Sequence, residues 1–217
     1  MPRIKVCGVT DAAFAAEAAW RAVDYLGLIF AEGSPRQVTM DKAREIVTQV
    51  RSGAVAVSVK PPRFVGVFVR HSPAEIVDVA SRVGLDVIQL HGDYDDSAVA
   101  MLKARGYEVW RLFNEVGRAT GADGVFCVES PEDAVLLDGR RGNESRRADW
   151  SLVAPLKQSG RQVVLAGGIS AGNIAAAVAT GADVIDVNSS IETSPGVKSV
   201  DLLDELLRSV DRRRFQV

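Results

Sequence analysis

Apolar runs of strand length alternate with amphipathic stretches of helix length along the whole chain. The runs are RIKVC (3–7), YLGLIF (25–30), FVGVFV (64–69), DVIQLH (86–91), YEVWRLF (107–113), AVLLD (134–138), QVVLAG (162–167) and DVIDVN (183–188), which predicts eight strands. They are continuously apolar rather than alternating, as strands are when helices cover a parallel sheet. Strict strand–helix alternation implies right-handed crossovers. Eight such units sharing 217 residues predict an α/β protein, a (β/α)8 TIM barrel of small size and a single domain over 1–217, in preference to an open doubly wound sheet. Neither GxGxxG nor GxxxxGK[ST] occurs, so the nucleotide-binding open sheets lose their best support.

The segments between strands carry helix punctuation. Ser72-Pro73-Ala74-Glu75 has capping-box spacing, with Pro73 at the first helical position, where its missing N–H is harmless. Gly84, Gly106 and Gly181 follow helical patterns, where a chain turns left-handed to leave a helix. GLDVIQ (84–89) and GADVID (181–186) both run from such a glycine through aspartate into a strand. A third copy, GADGVF (121–126), implies an additional strand at 124–128 just ahead of AVLLD, which leaves 114–133 open between eight strands and nine. SGAVAVSVKPPR (52–63) reads as a surface loop.

Composition narrows the partners. Twenty-six basic against 28 acidic side chains leave a net charge of −2, so no basic field points to nucleic acid, and a small molecule is expected. Only Cys7 and Cys127 are present, without CxxC spacing, which argues against a disulfide framework or structural zinc. The sole histidines are His71 and His91, too few for a metal-dependent epimerase site, so neither metal nor cofactor is expected. Asp11, Glu17 and Arg21 interrupt the first apolar stretch, and no later run reaches membrane-spanning length. The expectation is a soluble, cytoplasmic protein with no membrane partner.

In a barrel of this kind the chemistry sits at the C-terminal ends of the strands. The polar residues there are Cys7, Arg36, Gln89, His91, Asp138, the Gly167-Gly168 pair and Asn188-Ser189-Ser190. Each also has a plainer reading. Cys7 alone suits a packed apolar thiol, Asp138 a helix cap, Arg36 an exposed loop, His91 a hydrogen-bonded structural histidine, and the glycines a tight turn. Gln89, two residues before His91, shares its face. Glycine and serine ends on adjacent strands, at 167–168 and 189–190, offer the unhindered N–H groups of a phosphate site.

KVCGVT, GSPRQV, VGVFV, IQLHGD, LLD, LAGGIS and DVNSSIETSPGVKS stand in an order and spacing that resembles the phosphoribosylanthranilate isomerase family, tryptophan-pathway (β/α)8 enzymes, across essentially the whole chain. The resemblance implies an Amadori rearrangement of N-(5′-phosphoribosyl)anthranilate to its 1-deoxyribulose isomer. It implies Cys7 as general base and Asp138 as general acid, with Cys7 drawn toward thiolate. It implies Arg36 on the anthranilate carboxylate, a task suited to a planar guanidinium. Monomers and homodimers both fit. Related histidine-pathway isomerases place an aspartate where Cys7 stands.

Two departures accompany the resemblance. The family's GGTG segment is replaced by GRRGNESRRADW, which puts Arg140, Arg141, Arg146 and Arg147 near the mouth but keeps Asp149-Trp150. Ser190 stands where the family prefers glycine, which removes backbone freedom beside the phosphate ends. Two other readings remain open: an isomerase of another phosphorylated aminosugar, and a catalytically silent barrel that binds a phosphorylated metabolite.

Overall fold

The computed structural model describes residues 1–56, 60–113, 131–139 and 148–210. The third GADGVF copy, Cys127 and the four arginines at 140–147 lie outside the described residues. Eight parallel strands close into a barrel in sequence order: β1 (Arg3–Val6), β2 (Tyr25–Ile29), β3 (Arg63–Phe68), β4 (Val87–Leu90), β5 (Glu108–Leu112), β6 (Ala134–Leu137), β7 (Gln162–Leu165) and β8 (Val184–Val187). All eight fall on the apolar runs read from the sequence. The helices are α1 (Ala12–Trp20), α2 (Met40–Ala56), α3 (Pro73–Val83), α4 (Asp96–Ala104), α5 (Val153–Gln158), α6 (Ile174–Ala179) and α7 (Val200–Val210).

Local chemistry sets the helix ends. Ser72 Oγ accepts from the Glu75 N–H while the Glu75 carboxylate accepts from the Ser72 N–H, completing the capping box with Pro73 in the first turn of α3. Asp11 and Asp95 cap α1 and α4 more simply, their carboxylates accepting from the Phe14 and Ala98 N–H groups. Gly84, Gly106 and Gly181 are all left-handed, with φ of 79°, 87° and 82°. Helix α2 runs through 52–56, which corrects the surface-loop reading of that part of SGAVAVSVKPPR. Gly53 interrupts the pattern there, but one interior glycine costs a helix only about 1 kcal/mol.

A second correction is a small hairpin after the barrel, β9 (Glu192–Ser194) paired antiparallel with β10 (Val197–Lys198). Its strands are too short and polar to show periodicity, although Pro195-Gly196 is a turn signal.

Two apolar shells follow from the pleat. One set, including Leu26, Leu28, Ile88, Val135 and Leu165, packs outward against Ile46, Ile76, Leu102 and Leu206 of the helices. The other, with Tyr25, Val65, Val87, Trp110, Leu136, Val164 and Val184, fills the barrel. Tyr25 and Trp110 meet inside it edge to face at 4.9 Å between centroids. Side chains two apart on a strand share a face. The inward series on β1 therefore runs Arg3, Lys5, Cys7; on β4 and its continuation, Val87, Gln89, His91; and on β6, Ala134, Leu136, Asp138.

Asp86 and Asp183 of the glycine–aspartate repeat share a defined job with Asp24 and Asp133. Asp24, Asp86, Asp133 and Asp183 each precede an even-numbered strand, and each makes two bonds to one residue of the preceding odd strand. The carboxylates accept from Ile4, Phe64, Val109 and Val163 N–H at 2.7–2.9 Å. Their own N–H groups donate to the carbonyls of the same four residues. These clamps fix the strand starts in register around the barrel, and so fix where the opposite ends open.

Candidate active site

Cys7 follows β1 with its side chain buried at 5% exposure. Its N–H donates to Val187 O at 2.8 Å, tying the strand end to β8. Gly8 then turns the chain away with φ +71°, and a Cβ there would lie 2.6 Å from Arg36 Cδ and 2.9 Å from Asn188 Oδ1. Only glycine satisfies both that conformation and that space. The thiol, the Arg36 stem and the end of β8 are thereby held together.

Arg36 is not a free loop arginine. Its Nε and Nη2 donate to Glu192 Oε1 and Oε2 at 2.8 and 2.6 Å, a two-point fork. Glu192 belongs to β9, and it also accepts from Lys198 Nζ at 2.8 Å. Lys198 spends its remaining donors on Asn188 O and Oδ1 at 2.9 and 2.7 Å. Burial alone pushes Glu192 up, but the bonds from Arg36 and Lys198 prevail and hold its carboxyl below the usual range. With the Nε–Nη2 edge of Arg36 engaged, its Nη1–Nη2 edge is left for a second carboxylate.

Asp138 ends β6 with its side chain about 29% exposed. Oδ1 accepts from the Gly139 N–H at 2.8 Å, and His91 Nε2 lies 3.5 Å from Oδ2. Gln89 Nε2 in turn sits 3.5 Å from His91 Nδ1, so the buried glutamine backs the histidine that backs the acid. Gly167, at φ +86°, passes so close that a Cβ would stand 2.9 Å from Asp138 Oδ1 and 2.5 Å from Gly139 N.

Beyond β7 the Gly168 carbonyl accepts from Asn173 Nδ2 at 2.9 Å, which fixes the turn. Ser189 and Ser190 form a 3-10 turn after β8, and the buried Oγ of the part-exposed Ser190 has no hydrogen-bond partner among the described residues. Ser190 is absent from the left-handed positions, so serine in place of glycine introduces no backbone strain.

The thiol differs from the resemblance-based expectation. Burial pushes the Cys7 thiol up, against the pull of Lys5 and Lys198, so the sulfur is held on the thiol side. Four charged residues of the mouth were missed in the sequence: Lys5, Asp186, Glu192 and Lys198. A signal existed for two of them, since Lys5 and Asp186 are opposite charges in the middle of apolar strands.

The model of the family described as N-(5'phosphoribosyl)anthranilate (PRA) isomerase matches residues 4–209. The chain belongs to this family. It is 35% identical over 211 residues to the N-(5'-phosphoribosyl)anthranilate isomerase of Rhodospirillum centenum, covering 93% of this chain and 94% of that one. It is 34% identical over 211 residues to the tryptophan biosynthesis protein TrpCF of Salmonella typhi, covering 95% of this chain but 42% of that protein. The chain thus spans about two-fifths of that relative's length. Among solved structures, the phosphoribosyl anthranilate isomerase of Thermus thermophilus superposes with a TM-score of 0.79 at 31% identity, covering 96% of this chain and 98% of that one. Another phosphoribosyl anthranilate isomerase, with a TM-score of 0.76, 28% identity and coverage of 97% and 98%, is in complex with reduced 1-(o-carboxyphenylamino)-1-deoxyribulose 5-phosphate. Among the described residues no helix is long and apolar enough to cross a membrane, and no group of three His, Cys, Asp or Glu could hold a metal ion.

Proposed function

We propose that this chain converts N-(5′-phosphoribosyl)anthranilate to 1-(2-carboxyphenylamino)-1-deoxyribulose 5-phosphate, the isomerisation step of tryptophan biosynthesis, with Cys7 as base and Asp138 as acid. The observation that carries the reading is the family match over 4–209 together with a thiol and a carboxyl on the inward face at the ends of β1 and β6. The whole barrel acts as one catalytic unit in the cytoplasm, as a monomer or a homodimer.

The chemistry follows from those positions. Asp138 gives its proton to the ribose ring oxygen as the bond from that oxygen to carbon 1 breaks, and the anilino nitrogen supplies electrons to form the Schiff base. Cys7, in its thiolate form, then takes the proton from carbon 2, and the C–H electrons flow toward the iminium to give an enolamine. The enolamine gains a proton at carbon 1 and loses the one on the 2-oxygen, so the net change is an isomerisation. Each positioned proton carrier contributes about 10²–10⁴-fold. His91, 3.5 Å from Asp138, orients the acid, and Gln89 supports His91. Arg36 presents its open edge to the anthranilate carboxylate. Gly167, Gly168, Ser189 and Ser190 receive the phosphate, where backbone N–H groups and the unpartnered Ser190 Oγ supply donors.

Loss of anthranilate-type fluorescence from freshly made substrate tests the proposal. Turnover by the pure protein is expected. Absence of turnover defeats it, and binding without turnover would point instead to a silent phosphometabolite-binding barrel.

A further inference from the structure

Directly beneath Cys7 the barrel holds a charged pair that the reaction as written does not use. Lys5 is fully buried on β1, two residues before Cys7 and on the same inward face. Its register partner across the sheet is Asp186 of β8, and Lys5 Nζ donates to Asp186 Oδ2 at 2.5 Å. The remainder of the pair is under-satisfied. Asp186 Oδ1 is buried without a hydrogen-bond partner among the described residues, and the ammonium, with three protons, donates to Asp186 and has a further side-chain interaction with the Cys7 sulfur.

Stability alone does not account for such a pair. Apart from this pair and Gln89, the buried side chains named inside the barrel are aliphatic and aromatic, and replacing a buried ion pair by apolar residues of similar volume is often neutral or stabilising. What an apolar pair could not provide is a fixed positive charge behind the sulfur. The charges of Lys5, Asp186 and Lys198 act on the Cys7 sulfur, the sulfur in turn acts on Arg36, and Asp138 acts on Asp186. A base that begins as a buried thiol needs such a charge, because a thiolate in an apolar barrel end would otherwise be strongly disfavoured.

We propose that Lys5, held in place and kept charged by Asp186, is an electrostatic positioning residue for Cys7 that stabilises the sulfur anion at the barrel mouth. The direction agrees with the forces on the sulfur: burial raises its proton affinity, Lys5 is the strongest opposing influence, and Asp186 acts in the other sense but more weakly than Lys5. The carboxylate therefore serves the ammonium, and the ammonium serves the thiol. The kinetic consequence rests on the isomerase reading given above, but the ionisation of the thiol does not.

The experiment follows Cys7 alkylation by iodoacetamide against pH in a Cys127→Ser background. Lys5→Met is expected to move the profile to higher pH and to slow alkylation at neutral pH by about tenfold, since only the thiolate reacts. Lys5→Arg, which keeps the charge, is expected to stay near the parent. If Lys5→Met fails to fold, the double variant Lys5→Met/Asp186→Leu removes the pair as a unit, and its profile should move the same way by less. A Lys5→Met or double-variant profile that coincides with the parent, or moves to lower pH, overturns the proposal. In the isomerase assay the Lys5→Met loss should be in kcat and should recover at high pH, which a merely structural defect would not do. If the parent lacks turnover while the alkylation profiles shift as stated, the function fails and the role of Lys5 stands.

Discussion

The two ends of the barrel use the same kinds of side chain for opposite purposes. At the strand starts, Arg63 pairs with Glu108, Lys103 with Asp133, Lys157 with Asp183 and Arg3 with Tyr25 Oη. A cavity of about 360 Å³ opens there, among Arg3, Lys103, Glu108, Asp133 and Gln162, but its cations are already committed to neighbours. At the strand ends, Arg36 keeps its Nη1–Nη2 edge beside the fork to Glu192, the Asp138 carboxyl is part-exposed, and the buried Ser190 hydroxyl has no hydrogen-bond partner among the described residues. Charges that satisfy one another close a barrel, and charges held in place but incompletely satisfied await a ligand.

The sharpest way to break this contrast is to remove a proton carrier at the mouth. Cys7→Ser and Asp138→Asn should each lower kcat by about 10²–10⁴-fold while leaving KM within a few-fold. Both keep shape, so the melting temperature should stay close to that of the parent. Steady-state fluorescence kinetics beside a thermal melt checks both halves, and near-full turnover in either variant would remove that residue from the mechanism.

The reciprocal experiment is at the other end. Asp183→Ala leaves the buried Val163 N–H without its acceptor and releases the half-exposed Lys157. Denaturant melts should show a loss of about 1–3 kcal/mol, the cost of an unsatisfied buried donor, with kcat unchanged. A drop in kcat at preserved stability would contradict the separation of the two ends.

The sequence disclosed these ends unequally, for physical reasons. Strand positions were legible because a strand covered on both faces must be apolar throughout, and Cys7 and Asp138 were legible as polar ends of such runs. Two of the clamp aspartates, Asp86 and Asp183, are visible as a repeat, yet Asp24 and Asp133 are not, nor are the partners, since each bonds a residue 20–24 positions earlier. Glu192 was hidden by its setting: NSSIETSPGVKS is short and polar, and nothing local tells that its carboxylate grips Arg36 from 156 residues away. Ser190 was misjudged in one respect, because the absence of a left-handed φ at that position is a property of the turn and not of the residue.

Arg36 lies between the two regimes, half committed to Glu192 and half open. Arg36→Lys loses the fork geometry, and KM should rise by about tenfold, equivalent to one charge-assisted bond of roughly 1.4 kcal/mol. Glu192→Gln should raise KM by less. The Glu192 carboxyl lies lower in the folded protein than its ordinary value, so its contribution to stability is complete above the ordinary glutamate range near ~4.3. That contribution is lost as pH falls through the depressed value. The stability difference between parent and Glu192→Gln should accordingly shrink in acid, which urea melts across that window would record.

The smallest effect is expected at Ser190. If the family's glycine were needed for backbone freedom, Ser190→Gly would restore activity; but Ser190 is not left-handed, so glycine has no strain to relieve. It would instead add about 0.5 kcal/mol of unfolded-chain entropy and delete a hydroxyl that has no hydrogen-bond partner among the described residues. Turnover should be unchanged within about twofold and KM should rise about two- to fivefold, one neutral hydrogen bond to phosphate of ~0.5–1 kcal/mol. Inorganic phosphate, as a competitive inhibitor, isolates that contact from the rest of the substrate. A variant that binds phosphate more tightly than the parent would mean that the serine obstructs the site, and that the mouth at this point is closed in the same sense as the far end of the barrel.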